Sequence, residues 1–408
     1  MTKPLIVFTY APAGLGHIRV ADALIEGLPP EYESLVFSPS DPSLESIHRF
    51  TSLNRFARNL MEWVQRGWPQ TIFTRYYRKF LKNSTGNLFL EFTSLVKTQP
   101  TIPPYIIIAS THFGLAYQLG SIKKDLEKAL NTKIFLVVQV TDDSPQYIWY
   151  VDTADLIIAP SQQTADELIK YGKKEKLKNI HFEVLPYPVL SLFSKNLSET
   201  KILDRQKQYN PDQKNPINIV IPISGAAVGT DFFINLMDRL HHFSKRFNFF
   251  VVCRQAPFTK EFIKICQTRK YINLYASENY KEIIYIYNTV YLKNVISGEI
   301  TKPSEQSFKA LLDNDSVGGS FLFFANPVGR QEYDNLNFLQ KSGLLSTNMR
   351  GIILPKNPIK AANLIWELYR SGFLLKTFKK FRPVKNNPVV RDNGSTLFWK
   401  TVLNLFDK

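Results

Sequence analysis

A train of short apolar runs constrains this chain more than any other feature. Residues 5–10 (LIVFTY), 105–109 (YIIIA), 134–140 (IFLVVQV), 155–159 (DLIIA) and 182–185 (FEVL) form a first series. Residues 217–223 (INIVIPI), 247–252 (FNFFVV), 272–276 (INLYA), 321–325 (FLFFA) and 351–354 (GIIL) form a second. Most runs are apolar throughout, which suits strands buried on both faces of a parallel sheet. Turn residues and then a helical pattern follow, so each series reads as right-handed βαβ units.

A chain of 408 residues is too long for one ordinary core. The stretch between the two series, SKNLSETKILDRQKQYNPDQKNP, is polar and charged and reads as a linker. The expectation is therefore α/β, with two Rossmann-like domains facing a cleft. The boundaries are 1–192 for an N-terminal domain, 193–216 for the linker and 217–365 for a C-terminal domain. Residues 366–408 form a C-terminal helical segment able to pack back on the N-terminal domain. Ligands of such sheets bind beyond the carboxyl ends of the strands.

The formal charge of +16 favours an anionic partner: nucleic acid, an acidic membrane surface or a phosphorylated ligand. No nucleic-acid-binding module is recognisable, which argues against the first. Two cysteines, Cys253 and Cys266, lie in apolar surroundings and fit buried thiols of a reducing cytosol. The apolar run near the N-terminus is too short for a signal peptide, and no window is long enough to span a bilayer.

Residues 50–82 depart from the strand–helix alternation. Leu53, Phe56, Ala57, Leu60, Met61 and Val64 share one helical face, and Ile72, Phe73, Tyr76, Tyr77, Phe80 and Leu81 repeat it. Between them stand Arg55, Arg58, Arg66, Arg75, Arg78, Lys79 and Lys82, with Trp63 and Trp68. Basic, aromatic and amphipathic character together suit a surface lying on anionic lipid. A hairpin packed on the sheet with a solvated basic face accounts for the same pattern.

Polar loops follow several runs. Ala13-Gly14-Leu15-Gly16-His17 lacks the third glycine of a dinucleotide fingerprint and the lysine–serine pair of a P-loop. Its informative member is His17, an imidazole at a helix start and a candidate general base. Ser110-Thr111-His112-Phe113 and Thr141-Asp142-Asp143 close two further strands. In the second half, Ser224-Gly225-Ala226-Ala227-Val228-Gly229-Thr230 is a small-residue loop before a helix at 231–245, suited to cradle a diphosphate.

The order of these motifs resembles the GT-B glycosyltransferases of the MurG and monogalactosyldiacylglycerol synthase type, which include processive diacylglycerol glucosyltransferases. The resemblance spans about residues 5–345. It rests on Gly14-Leu15-Gly16-His17, Ser110-Thr111-His112-Phe113, Thr141-Asp142 with Trp149, Ala159-Pro160-Ser161-Gln162, Leu185-Pro186-Tyr187-Pro188-Val189, Thr301-Lys302-Pro303-Ser304-Glu305 and Val328-Gly329-Arg330-Gln331-Glu332-Tyr333-Asp334-Asn335. Ser304 and Glu305 stand where the family has paired glycines against the donor diphosphate. The family's ribose-binding glutamate falls on Ala310.

The resemblance implies inverting transfer from a nucleotide sugar, usually UDP-linked, by a hexosyltransferase or N-acetylglucosaminyltransferase. The acceptor is a lipid on an anionic membrane surface, with the enzyme cytoplasmic and peripheral on the inner face of the cell membrane. No cofactor or metal is expected. His17 would be the base, assisted by His112 or Asp142. The donor side would comprise Ser224, Gly225, Ala226, Gly229, Thr230, Asn279, Lys302, Ser304, Glu305, Gln331, Glu332 and Asn335. Acceptor or membrane contacts would fall to Gly14, Gly16, Trp63, Arg66, Trp68, Arg75, Arg78 and Lys79. The alternatives are a nucleotide-sugar epimerase, a transferase to a soluble acceptor, and a non-catalytic basic binding protein on a degenerate transferase scaffold.

Overall fold

The computed structural model describes residues 3–11, 15–39, 67–223, 227–345, 350–380 and 394–406. Two compact units emerge: Met1–Val189 with Pro388–Lys408, and Leu190–Asn387.

The first unit is built on a six-stranded parallel sheet. Its strands are β1 (Leu5–Thr9), β2 (Ser34–Phe37), β3 (Tyr105–Ser110), β4 (Lys133–Gln139), β5 (Leu156–Ala159) and β6 (His181–Val184), in the order β2-β1-β3-β4-β5-β6. Every residue of β1 and β5 is buried. Among the described residues up to 189 its helices are α1 (Leu15–Glu26), α2 (Gly67–Asn83), α3 (Leu88–Val96), α4 (Phe113–Leu130) and α5 (Gln162–Lys174). Helix α4 ends on Asn131 in the left-handed conformation (φ 50°), which an asparagine tolerates.

The second unit repeats the plan. Strands β7 (Ile217–Pro222), β8 (Phe247–Arg254), β9 (Ile272–Ser277), β10 (Gly298–Thr301), β11 (Phe321–Phe324) and β12 (Gly351–Ile353) run parallel in the order β12-β11-β10-β7-β8-β9. Its helices are α6 (Ser191–Ser194), α7 (Glu199–Tyr209), α8 (Thr230–Phe243), α9 (Lys260–Gln267), α10 (Tyr280–Lys293), α11 (Arg330–Lys341), α12 (Pro358–Arg370) and α13 (Phe373–Lys380), with a 3-10 segment at Glu305–Leu311. The order reverses between β7 and β10, and in the first unit between β1 and β3. Those are the switch points where doubly wound sheets collect ligands.

Residues 193–216 are not a bare linker. Leu197 N donates to Asp315 O (2.8 Å), and Val317 N and Gly318 N donate to Lys195 O and Phe193 O (2.8 Å each). Arg205 and Tyr209 on α7 are wholly buried in the second unit. Polar composition misleads here because the guanidinium of Arg205 is spent on backbone carbonyls. The segment after residue 365 divides. Helices α12 and α13 stay in the second unit, whereas α14 (Gly394–Phe406) belongs to the first. There Trp399 is fully buried, donates to Leu24 O (2.7 Å) and meets Phe8 edge-on at 5.6 Å.

Helix α2 corrects the reading of residues 67–82. It buries Pro69, Gln70, Thr74, Arg78 and Leu81, while Trp68, Ile72, Tyr76 and Phe80 are exposed by 69, 45, 71 and 57%. The apolar residues thus split between two faces. Arg78 is no membrane-facing cation: only 9% exposed, it sits beside the Tyr117 and Tyr171 phenols. Burial raises the pKa of both phenols, and the Arg78 charge offsets part of the rise. Among the described residues no helix is long and apolar enough to cross a membrane.

Both thiols are buried, and desolvation pushes each up to about 12. A thiolate-selective disulfide reagent at pH 8 is therefore expected to leave the native protein unlabelled and to titrate both cysteines once urea unfolds it. Rapid labelling of the native chain would contradict this packing.

Candidate functional site

In the first unit the loops after β1, β3 and β4 meet at one sheet edge, because those strands are neighbours. They bring His17, Thr111, His112 and Thr141 together. His17 Nδ1 lies 2.6 Å from Thr111 O and 3.3 Å from Thr141 Oγ1. Thr111 Oγ1 donates back to His17 O (2.8 Å). A carbonyl oxygen only accepts, so Nδ1 carries a proton, and in the neutral form of the ring the lone pair is on Nε2.

His112 has the opposite tautomer. It is the N-cap of α4, and its Nδ1 accepts from Leu115 N (3.3 Å), leaving the proton on Nε2. The two rings meet edge to face at 4.9 Å, and Phe113 stacks on His112 at 5.0 Å. Trp149 approaches both His17 (6.2 Å) and Phe113 (5.3 Å). Gly114 is needed at this turn, since a Cβ there would stand 2.7 Å from His112 Cε1. One edge thus holds a hydrogen-bond-accepting imidazole nitrogen on His17 and an N–H donor on His112.

Asp142 is half-buried in the same loop, next to Thr141, whose hydroxyl lies 3.3 Å from His17 Nδ1. Its neighbour Asp143 is buried and accepts from Ser161 Oγ (2.5 Å) and Thr164 Oγ1 (2.7 Å), so it ties the β4 loop to the start of α5. Tyr187 completes the brace by donating to Thr141 O (2.8 Å). Thr111 and Thr141 lie in the Ser110–Phe113 and Thr141–Asp142 motifs, but nothing in those motifs marks either threonine as a partner of His17. Gly16 lies half-buried in the first turn of α1. Gly14, Trp63, Arg66, Ser224, Gly225 and Ala226 fall outside the described residues.

In the second unit the loops after β7, β10 and β11 are adjacent, with β10 between the other two. Gly229 (φ 86°) precedes Thr230 at the start of α8. Its left-handed backbone suits glycine. Lys302 is buried and its ammonium donates to Asn326 O, which joins the β10 and β11 loops. Asn335 is wholly buried and donates to Pro303 O (3.1 Å), so it braces the Thr301–Glu305 loop from α11. Glu332 accepts from Val328 N (2.5 Å), which ties the loop before α11 to its first turn, beside Gln331. Ser304 and Glu305 are half-buried at the start of the 3-10 segment. Asn279 caps α10 by accepting from Lys281 N (2.8 Å) and Glu282 N (3.3 Å). The structure therefore gathers Gly229, Thr230, Lys302, Ser304, Glu305, Gln331, Glu332 and Asn335 at one edge, and gives Asn279 a capping role beyond β9.

No family model matches the sequence, and no curated protein sequence does. Solved structures do. S. aureus MnaA in its UDP co-structure superposes with a TM-score of 0.56 at 11% identity, covering 100% of this chain and 98% of that one. A UDP-glucosyltransferase from Polygonum tinctorium gives 0.52 at 14% identity, covering 100% of both chains. The UDP-GlcNAc 2-epimerase from Neisseria meningitidis, bound to UDP-GlcNAc, gives 0.51 at 11% identity over 99% and 100%. The chain has the GT-B fold. Its two six-stranded parallel sheets are the two Rossmann-like domains of that architecture.

Proposed function

We propose that this protein is an inverting glycosyltransferase that moves a sugar from a UDP-linked donor to a lipid acceptor. The observation that carries transfer is the tautomer of His17. Held by Thr111 O, the ring keeps its Nε2 lone pair at the strand edge, where it can take the proton of an acceptor hydroxyl. His112, protonated on Nε2, can orient that hydroxyl. The second unit binds the diphosphate through the amides of the β7 and β10 loops and the start of α8, with Lys302 adding positive charge.

A surface of the first unit supports a lipid acceptor. Trp68, Ile72, Tyr76 and Phe80 recur every fourth residue as one exposed stripe on α2. Arg75 beside it pairs with Glu175 (2.9 Å), at the end of α5. Around Glu175 stand the exposed Lys170, Lys173, Lys174, Lys176 and Lys178. Aromatic residues flanked by lysines suit an anionic headgroup layer, where each cation contributes about 1 kcal/mol. Vesicles rich in phosphatidylglycerol are expected to sediment the protein, and Lys173→Glu/Lys174→Glu/Lys176→Glu to weaken binding at least tenfold. Absence of sedimentation with both neutral and anionic vesicles would remove the lipid reading.

Epimerisation is the second reading, favoured by the likeness to a UDP-GlcNAc 2-epimerase. The two part on one measurement. A UDP-sugar incubated without acceptor in D2O gains deuterium at C2 under an epimerase. A transferase releases UDP only when acceptor lipid is added.

A further inference from the structure

The second unit contains a cluster of buried charge that the proposed chemistry does not use. Glu299 on β10 is fully buried, and its Oε2 accepts from Lys309 Nζ, Tyr287 (2.7 Å) and Tyr291. Lys309 also donates to the Tyr287 hydroxyl and lies 3.2 Å from that of Tyr291. Gln306 Oε1 is 2.9 Å from the Tyr287 hydroxyl. The ammonium stands 5.3 Å from the Phe193 ring centroid, and Phe193 packs on Tyr291 at 5.2 Å. Burying an ion pair this deeply brings little net stability, since desolvation offsets the attraction. Its placement is more informative than its energy.

Glu299 and Lys309 bracket the loop Thr301–Glu305. One lies two residues before it on the strand, the other four residues beyond it on the 3-10 segment. Lys309 O is also held by Arg350 Nη2 (2.7 Å). The loop has Ser304 and Glu305 rather than glycines, and its two ends are bolted together beneath it. Phe193 belongs to the segment that enters the unit and is clamped by Gly318 N (2.8 Å).

We infer that Lys309, paired with Glu299, is a positioning residue that sets the backbone of Thr301–Glu305 for a nucleoside diphosphate. This rests on the nucleotide-sugar reading for its ligand and on the cluster alone for its effect on the loop. Lys309 touches no substrate; it acts through the loop amides.

The test is Glu299→Gln/Lys309→Met, which removes both charges and leaves neither buried alone. Hydrogen–deuterium exchange is read on peptides covering 301–311 and, as a control, on those covering β7 and β8. UDP affinity is measured by calorimetry. The expected result is exchange at least tenfold faster in 301–311 only, and UDP binding weakened about tenfold, with unchanged circular dichroism. Phe193→Leu, a milder change, should move both readouts in the same direction by less. Unchanged exchange in 301–311 would overturn the inference. So would faster exchange with UDP affinity intact. If the wild type binds no UDP, the nucleotide-sugar reading fails separately, and exchange still decides whether the pair orders the loop.

Discussion

His17→Asn is expected to lower turnover of a UDP-sugar by about 10²- to 10⁴-fold, the range lost when a positioned base is removed. Asparagine is the informative choice. Its amide N–H can still donate to Thr111 O, where His17 Nδ1 now stands at 2.6 Å, so the start of α1 keeps its tie to the β3 loop. What disappears is the lone pair at the Nε2 position. UDP affinity should not change, because the groups assigned to the nucleotide belong to the second unit. Thr111→Val, which removes only the hydroxyl that donates to His17 O, should produce a smaller loss. Turnover equal to wild type in His17→Asn would end the assignment of the base. A variant that also loses UDP binding would show that His17 acts on donor affinity instead.

The sequence allowed much of the fold to be read because most strands are buried on both faces. Leu5–Thr9 and Leu156–Ala159 are continuous apolar runs with no rival explanation. The two strands that escaped notice break that rule for opposite reasons. Ser34–Phe37 sits at the sheet edge and is largely exposed, so it needs no apolar run. Gly298–Thr301 is fully buried but carries Glu299, whose charge is neutralised by a lysine ten residues away. The same difficulty hid the helix at Glu199–Tyr209, whose polar residues include a buried arginine. A charged residue advertises solvent unless its partner is known, and the partner is a tertiary fact. The site was half readable for a related reason. His17 and His112 stand out by type and by their place after strands. The groups that set their tautomers, a backbone carbonyl of Thr111 and the amide of Leu115, have no side-chain signature.

Arg350→Met is expected to destabilise the second unit by about 3–5 kcal/mol, the largest effect of any single change away from the candidate site. Arg350 is fully buried, and its guanidinium donates to four backbone carbonyls: Leu312 O, Lys309 O (2.7 Å), Ser320 O (3.2 Å) and Gly318 O (3.3 Å). Arg205 holds the intervening Asn314, Ser316 and Val317 carbonyls at 2.7–2.9 Å. No carboxylate pairs with either guanidinium in these contacts. Desolvation lowers both pKa values, that of Arg350 to about 10, a sign that burying the charge opposes folding. The carbonyls outweigh that opposition. Methionine fills the space of the stem but leaves several buried acceptors without donors, each costing about 1–3 kcal/mol. Lysine keeps the charge but not the planar fork, so Arg350→Lys should fall between wild type and Arg350→Met. In urea, with a slope of about 2–3 kcal/mol/M, the methionine variant should shift the transition of the second unit down by roughly 1–2 M. The first unit should unfold where it does in the wild type, which its own Trp399 fluorescence can report. An unshifted midpoint would mean that the 309–320 segment is held by its own turns, and that the two arginines merely fill space beneath it.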